Sequence, residues 1–226
     1  MRMKSKLAFP VFMIILISLF SCSLGGSSDV VLDESYYTDK YHYDNADTFL
    51  GRGINMGNYL EAPTEGSWTG GRLIQQTDFT NIEATGFKSV RIPIRWSAHA
   101  SMTGPDYTID NAFMTRVIEV VGWALDAGLN VVINTHHYVE MMDSLDPTPL
   151  ATHIARLEAI WDQICVNFPS SEYPVDRVVF ELLNEPNGRV GYTEWNNIIT
   201  GLTSIIWTAQ ANRKIMVGTA NWGGVD

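Results

Sequence analysis

The stretch VVFELLNEPNG, residues 178–188, decides the reading of the chain. Val178, Val179, Phe180, Leu182 and Leu183 form a β-branched, aromatic and aliphatic run, and Asn187-Gly188 ends it with turn formers. Such a run predicts a buried strand over 178–183 that delivers Asn184 and Glu185 to its carboxyl end. Pro186 disfavours helical geometry in the residue before it, so Glu185 is expected to stay extended there. A carboxyl held beside apolar groups keeps its proton to higher pH, as a general acid requires. Glu181, within the run, reads as a structural acid supporting that site.

Working outward, the same pattern recurs. Short apolar runs stand at Gly53–Met56, Lys88–Ile94, Leu129–Asn134 and Ile215–Gly218. Between them lie amphipathic stretches. One carries Phe113, Val117, Val120, Val121 and Ala124 behind a cap at Asp110. A second runs from Leu150 to Phe168 and stops at Pro169. A third holds Trp195, Ile198, Ile199, Leu202, Ile205 and Ile206, with Thr193 as its candidate cap. A weaker one spans about Ile74 to Thr85. Strands alternating with helices predict parallel βα units, and the continuously apolar strands suggest a sheet covered on both faces. The count is five strands and four helices. A closed (β/α)₈ barrel has eight of each in about 250 residues, so the pattern fits either a smaller open α/β domain or the front part of a barrel.

In parallel α/β folds the working residues sit at the carboxyl ends of the strands. Those ends read NMGNYLEAPTEG, RIPIRWSAH, NTHHY, LLNEPNG and TANWGG. His136 and His137 are adjacent and, on a strand, would face opposite sides rather than clasp one metal ion. Arg91 is suited to a bidentate pair with a carboxylate, whereas Arg95 reads as a surface or loop contact. Trp96, Tyr138 and Trp222 are flat apolar groups suited to stacking on sugar rings, and Asn184 to donating to a sugar hydroxyl. Serine-hydrolase, phosphate-loop and zinc-protease motifs are missing from the sequence, and the glycines of GRGINMGN do not form the dinucleotide fingerprint.

The formal charge of −10 argues against nucleic acid as a partner, and once the first 21 residues are set aside 12 basic residues face 25 acidic ones. Those first residues carry Arg2, Lys4 and Lys6 before an apolar run from Leu7 to Phe20, short for a membrane span, and read as an export signal. Leu19, Ser21 and Cys22 resemble a bacterial lipobox, with Phe20 where a smaller residue is usual. Lipidation of Cys22 is therefore expected, making a lipid anchor the route to a membrane; plain secretory cleavage is the other reading. Residues 23–47 look like a tether, and 48–226 like the domain itself. Cys165, at helical spacing after Leu157, Trp161 and Ile164, predicts a buried thiol.

Five blocks in order, GRGINMGNYLEAPTEGSW, GFKSVRIPIRWSAHA, VVINTHHY, FELLNEPNG and GTANWGG, resemble glycoside hydrolase family 5, the cellulase-type retaining β-glycanases. The resemblance covers about residues 48–226. It implies a (β/α)₈ barrel of which about the first five strands and four helices are here. It also implies cleavage of a β-1,4-linked polysaccharide, with Glu185 as acid/base and Asn184 on the sugar 2-hydroxyl. Arg91 would support the nucleophile and His136 the hydrogen bonds of the active site. Asn58, Glu61 and His137 match substrate-contacting positions. The family's nucleophile, a Glu on its seventh strand, has no counterpart in these residues, so the chain is expected to be part of a longer enzyme and inactive by itself. Two carboxyls suffice for this chemistry, so no cofactor or metal is expected. Glucan and mannan are not separated by these blocks, and a non-catalytic carbohydrate-binding module is the reading from a different functional class.

Overall fold

The computed structural model describes residues 49–224; the expected signal segment, Cys22 and the tether lie outside the described residues. Five parallel strands form one sheet in the order β1-β2-β3-β4-β5: β1 Gly53–Asn55, β2 Ser89–Ile92, β3 Asn130–Asn134, β4 Val178–Glu181 and β5 Ile215–Met216. Each strand pairs with its successor in sequence. A doubly wound sheet would reverse its order at a switch point, so this winding is that of a barrel wall. β1, β2, β4 and β5 end before their apolar runs do, because the last residues of those runs leave the ladder to start the loop above, whereas β3 ends with its run at Asn134.

The helices between them are α1 Gln76–Ala84, α2 Asn111–Asp126, the single turn α3 Val139–Met142, α4 Leu150–Asn167 and α5 Tyr192–Ala209. Asp110 caps α2, its carboxylate accepting from the Phe113 N–H at 2.8 Å, as its position before the apolar stripe predicts. Thr193 is not the cap of α5. Gly191 holds that position and Thr193 lies in the first turn. Cys165 is buried in α4, and burial pushes its thiol up to about 12.

The two faces of the sheet differ in polarity. Val90, Ile92, Val131, Ile133, Val178 and Phe180 are all fully buried in the core with the helices. The alternate residues, in register across the sheet, are Asn55, Arg91, Val132 and Val179 in one row and Asn134, Glu181 and Met216 in the next. Polar residues thus reach the inner face just where the strands end. Register at that level is pinned by indoles. Trp96 donates to the Asn134 carbonyl (2.9 Å), Trp161 to Leu182 (3.1 Å) and Trp195 to Gly218 (2.8 Å), each bonding the end of the next strand in the series.

Candidate active site

Arg91 organises the inner face. On β2, it reaches across β3 to make a two-pronged pair with Glu181 of β4, Nε to Oε2 at 2.6 Å and Nη2 to Oε1 at 2.7 Å. The fork geometry matches the carboxylate and fixes both side chains. Arg91 also donates to Asn55 Oδ1 (2.9 Å) and to Asn184 Oδ1 (2.8 Å). The amide of Asn184 is therefore oriented, with its oxygen occupied by Arg91 and its NH₂ left as the donating end. The Asn184 backbone N–H is tied to the Thr135 carbonyl at 2.9 Å, which fastens the β4 end to the β3 end.

Glu185 follows, and its backbone departs from expectation. Its φ is +48°, in the left-handed region, not extended. Pro186 explains only why right-handed helical geometry is avoided. The turn beyond holds the rest: Asn187 Nδ2 donates to the Glu185 carbonyl at 2.7 Å, and the Trp222 N–H to the Pro186 carbonyl at 3.2 Å. A non-glycine residue held there stores about 1–2 kcal/mol of strain, a cost met at functional turns. The side chain is exposed, not enclosed by apolar groups as the sequence reading proposed. It lines a cleft of about 390 Å³ with His137, Val139, Met142, Asp143, Asn184, Asn187 and Trp222.

The histidine pair sits beyond the end of β3, so strand alternation does not apply. His137 has φ +51°, and the two rings meet edge to face at 4.4 Å instead of facing opposite ways. Asn134 is buried, and its Oδ1 accepts from the Ile94 N–H (3.2 Å), leaving Nδ2 to donate to His136 Nδ1 at 3.0 Å. His136 thus carries its proton on Nε2. Burial pushes it down to about 3, with His137 and Arg91 adding to the effect, so it is neutral through the physiological range.

Other expected residues fall outside the cleft lining. Tyr138 and Trp96 are wholly buried and offer no sugar platform. The Tyr138 hydroxyl joins the buried His153 (3.0 Å) and Arg156 (3.2 Å) instead. Glu61 is also buried. Its carboxylate accepts from the Asn58 and Tyr59 N–H groups, bracing the loop after β1, where the exposed Asn58 has φ +74°. Arg95 pairs with Glu140 of α3 at 3.4 Å.

Sequence reasoning missed the clamp between the β3 and β4 loops. Arg189 donates to the carbonyls of Glu140 (2.7 Å), Met141 (3.0 Å), Asp146 (3.3 Å) and Thr148 (2.9 Å). Its own N–H donates to the Met142 carbonyl at 3.1 Å. Gly188 has φ +59°, and a Cβ there would lie 2.2 Å from the Met142 oxygen. These contacts join segments more than 40 residues apart, and only the glycine left a mark in the sequence.

The sequence profile of Cellulase (glycosyl hydrolase family 5) matches residues 48–226. The chain belongs to glycosyl hydrolase family 5. Endoglucanase H of Acetivibrio thermocellus is 36% identical over 173 residues, covering 76% of this chain and 18% of that protein. Endoglucanase B of Paenibacillus lautus is 40% identical over 147 residues, 62% of this chain and 25% of that one. Among solved structures, endoglucanase Cel5A from the hyperthermophile Thermotoga maritima superposes with a TM-score of 0.69 at 44% identity, over 78% of this chain and 53% of that one. The same Thermotoga enzyme in complex with mannotriose gives 0.70 at 43% identity, over 79% and 54%. The five-stranded sheet is part of the (β/α)₈ barrel of this family, and the chain spans about half the length of these solved relatives.

Proposed function

We propose that this chain carries the acid/base side of a retaining endo-β-1,4-glycanase active site, with glucan as the main substrate and Glu185 as the acid/base. The observation that carries the reading is the Arg91–Glu181–Asn184 constellation, which presents an oriented amide donor beside an exposed carboxyl at one end of a cleft. In a retaining hydrolysis Glu185 protonates the glycosidic oxygen as the C–O bond breaks, while a second carboxylate about 5–5.5 Å away attacks the anomeric carbon. Glu185 then takes the proton from the water that releases the glycosyl group. Asn184 binds the sugar 2-hydroxyl, whose hydrogen bond strengthens in the transition state. Among the described acids, Glu181 is engaged by Arg91 and Asp143 lies on the cleft rim, and the reading assigns neither the nucleophile's role. The chain alone is expected to turn over no glucan. Mannan stands as a second substrate because the Thermotoga relative forms complexes with both mannotriose and cellobiose. Export, with Cys22 as a lipid anchor, completes the proposal and places the enzyme where polysaccharide is found.

Calorimetry of the purified 226-residue chain with cellotetraose and mannotetraose tests this. Binding of either, weakened at least about tenfold by Asn184→Ala, is expected from the loss of a polar anchor at the cleft. No binding of any β-1,4-linked oligosaccharide, in a chain that unfolds cooperatively, refutes it.

A further inference from the structure

The loop between β1 and α1 presents an indole that the site described so far does not use. Trp68 is 49% exposed, and its ring meets His137 edge to face at 5.9 Å. His137 in turn meets His136 at 4.4 Å. Three rings therefore run in contact from His136, past His137 in the cleft wall, to Trp68 in the loop above β1. Trp222, 62% exposed, lines the same cleft beside Glu185.

A half-exposed tryptophan on a floppy loop would mean little, but this loop is built to hold it still. The Glu65 carboxylate accepts from the Ile74 N–H (2.9 Å) and takes a two-pronged pair from Arg116 of α2, both at 2.9 Å. Arg116 also donates to the Ile74 carbonyl at 2.7 Å. Within that anchor the chain folds back on itself. Ser67 N–H donates to the Thr64 carbonyl (3.0 Å), Gly71 N–H to the Gly66 carbonyl (2.9 Å) and Thr69 Oγ1–H to the Arg72 carbonyl (2.6 Å). Gly66, at φ +91°, makes the reversal possible. An aromatic face fixed in advance loses little conformational entropy when a ligand covers it.

We propose that Trp68 is the platform of a further sugar subsite, on the β1 side of His137, for a unit of a β-linked glycan chain that also occupies the cleft at Glu185. The proposal rests on the glycanase reading above and adds the length of chain the site holds. The indole face takes the apolar C–H face of a pyranose, while its contact with His137 keeps the wall between the two subsites in place. A glycan long enough to pass His137 gains this contact; one confined to the cleft does not.

Calorimetry of the 226-residue chain with cellobiose, cellotetraose and cellohexaose distinguishes the outcomes. Trp68→Ala is expected to weaken cellohexaose about tenfold, the loss typical of one buried aromatic anchor, with cellobiose changed less than about twofold. Trp68→Tyr keeps a flat ring and recovers most of the loss; it also serves if the alanine variant unfolds early. Unchanged cellohexaose binding in Trp68→Ala, or an equal loss at every length, overturns the subsite while leaving the glycanase reading intact. A wild-type chain that binds none of the three overturns both.

Discussion

Replacing Arg91 with methionine is the perturbation that most directly tests how the inner face is held. The substitution removes the two hydrogen bonds to Glu181 and one each to Asn55 and Asn184, leaving a carboxylate on β4 without its partner. Breaking a fully buried pair from one side costs about 3–5 kcal/mol, because the remaining charge keeps its desolvation penalty. Here the side chains are 26% and 11% exposed, so water recovers part of the loss and about 2–4 kcal/mol is expected. The double variant Arg91→Met/Glu181→Met removes both charges and fills the space with apolar groups, which is often close to neutral. Its cost is therefore expected to fall short of the two single costs combined by about 2 kcal/mol, the signature of coupled residues. Urea denaturation of the four chains measures this, with cellotetraose binding as a second readout, since Asn184 loses its orienting donor in both Arg91 variants. Strictly additive single and double costs, or an Arg91→Met penalty below about 0.5 kcal/mol, the scale of an ordinary surface change, would refute this account of the inner face.

Other outcomes follow from particular contacts. Gly188→Ala forces a Cβ against the Met142 carbonyl at positive φ, so thermal unfolding is expected to show a loss of about 1–3 kcal/mol together with weaker oligosaccharide binding; wild-type behaviour in both would remove the loop clamp from the site. His136, pushed down to about 3 in the folded chain, stays neutral there while the unfolded chain takes up a proton near pH 6.5. Stability is therefore present above pH 6.5 and lost as pH falls from there towards 3, by at most about 1.4 kcal/mol per unit and about half that after solvent screening. His136→Gln should flatten that part of the profile, and an unaltered slope would contradict the assignment. The Cys165 thiol, pushed up to about 12 by burial, is expected to resist a disulfide reagent at pH 8 in the folded chain and to react at once in urea; fast native reaction would place it at the surface.

Much of the architecture was legible because it depends on periodicity and local chemistry. The apolar runs marked all five strands, Asp110 marked the start of α2, and Pro169 followed the end of α4. Arg91 and Glu181 were legible as polar residues inside apolar runs, where a charge needs a partner to be retained. What stayed hidden depends on contacts distant in sequence. Tyr138 resembles a sugar-stacking residue until His153 and Arg156 are seen to bury it. Glu61 looks free to bind a ligand until the two N–H groups of its own loop claim its carboxylate. The left-handed backbone of Glu185 was illegible for another reason. A following proline excludes one conformation without choosing among the rest, and here the choice falls to Asn187 and to the strand end that Trp222 reaches.

The three indoles bonded to the strand-end carbonyls separate the frame from what is mounted on it. With the carbonyls of Asn134, Leu182 and Gly218 each held by an indole, the loops beyond them can gain or lose residues without sliding the strands below. Insertions above these points therefore alter the reach and grip of the cleft while the spacing between Arg91, Glu181 and Asn184 stays constant. A lineage can reshape the cleft, one loop at a time, on an unchanged chassis.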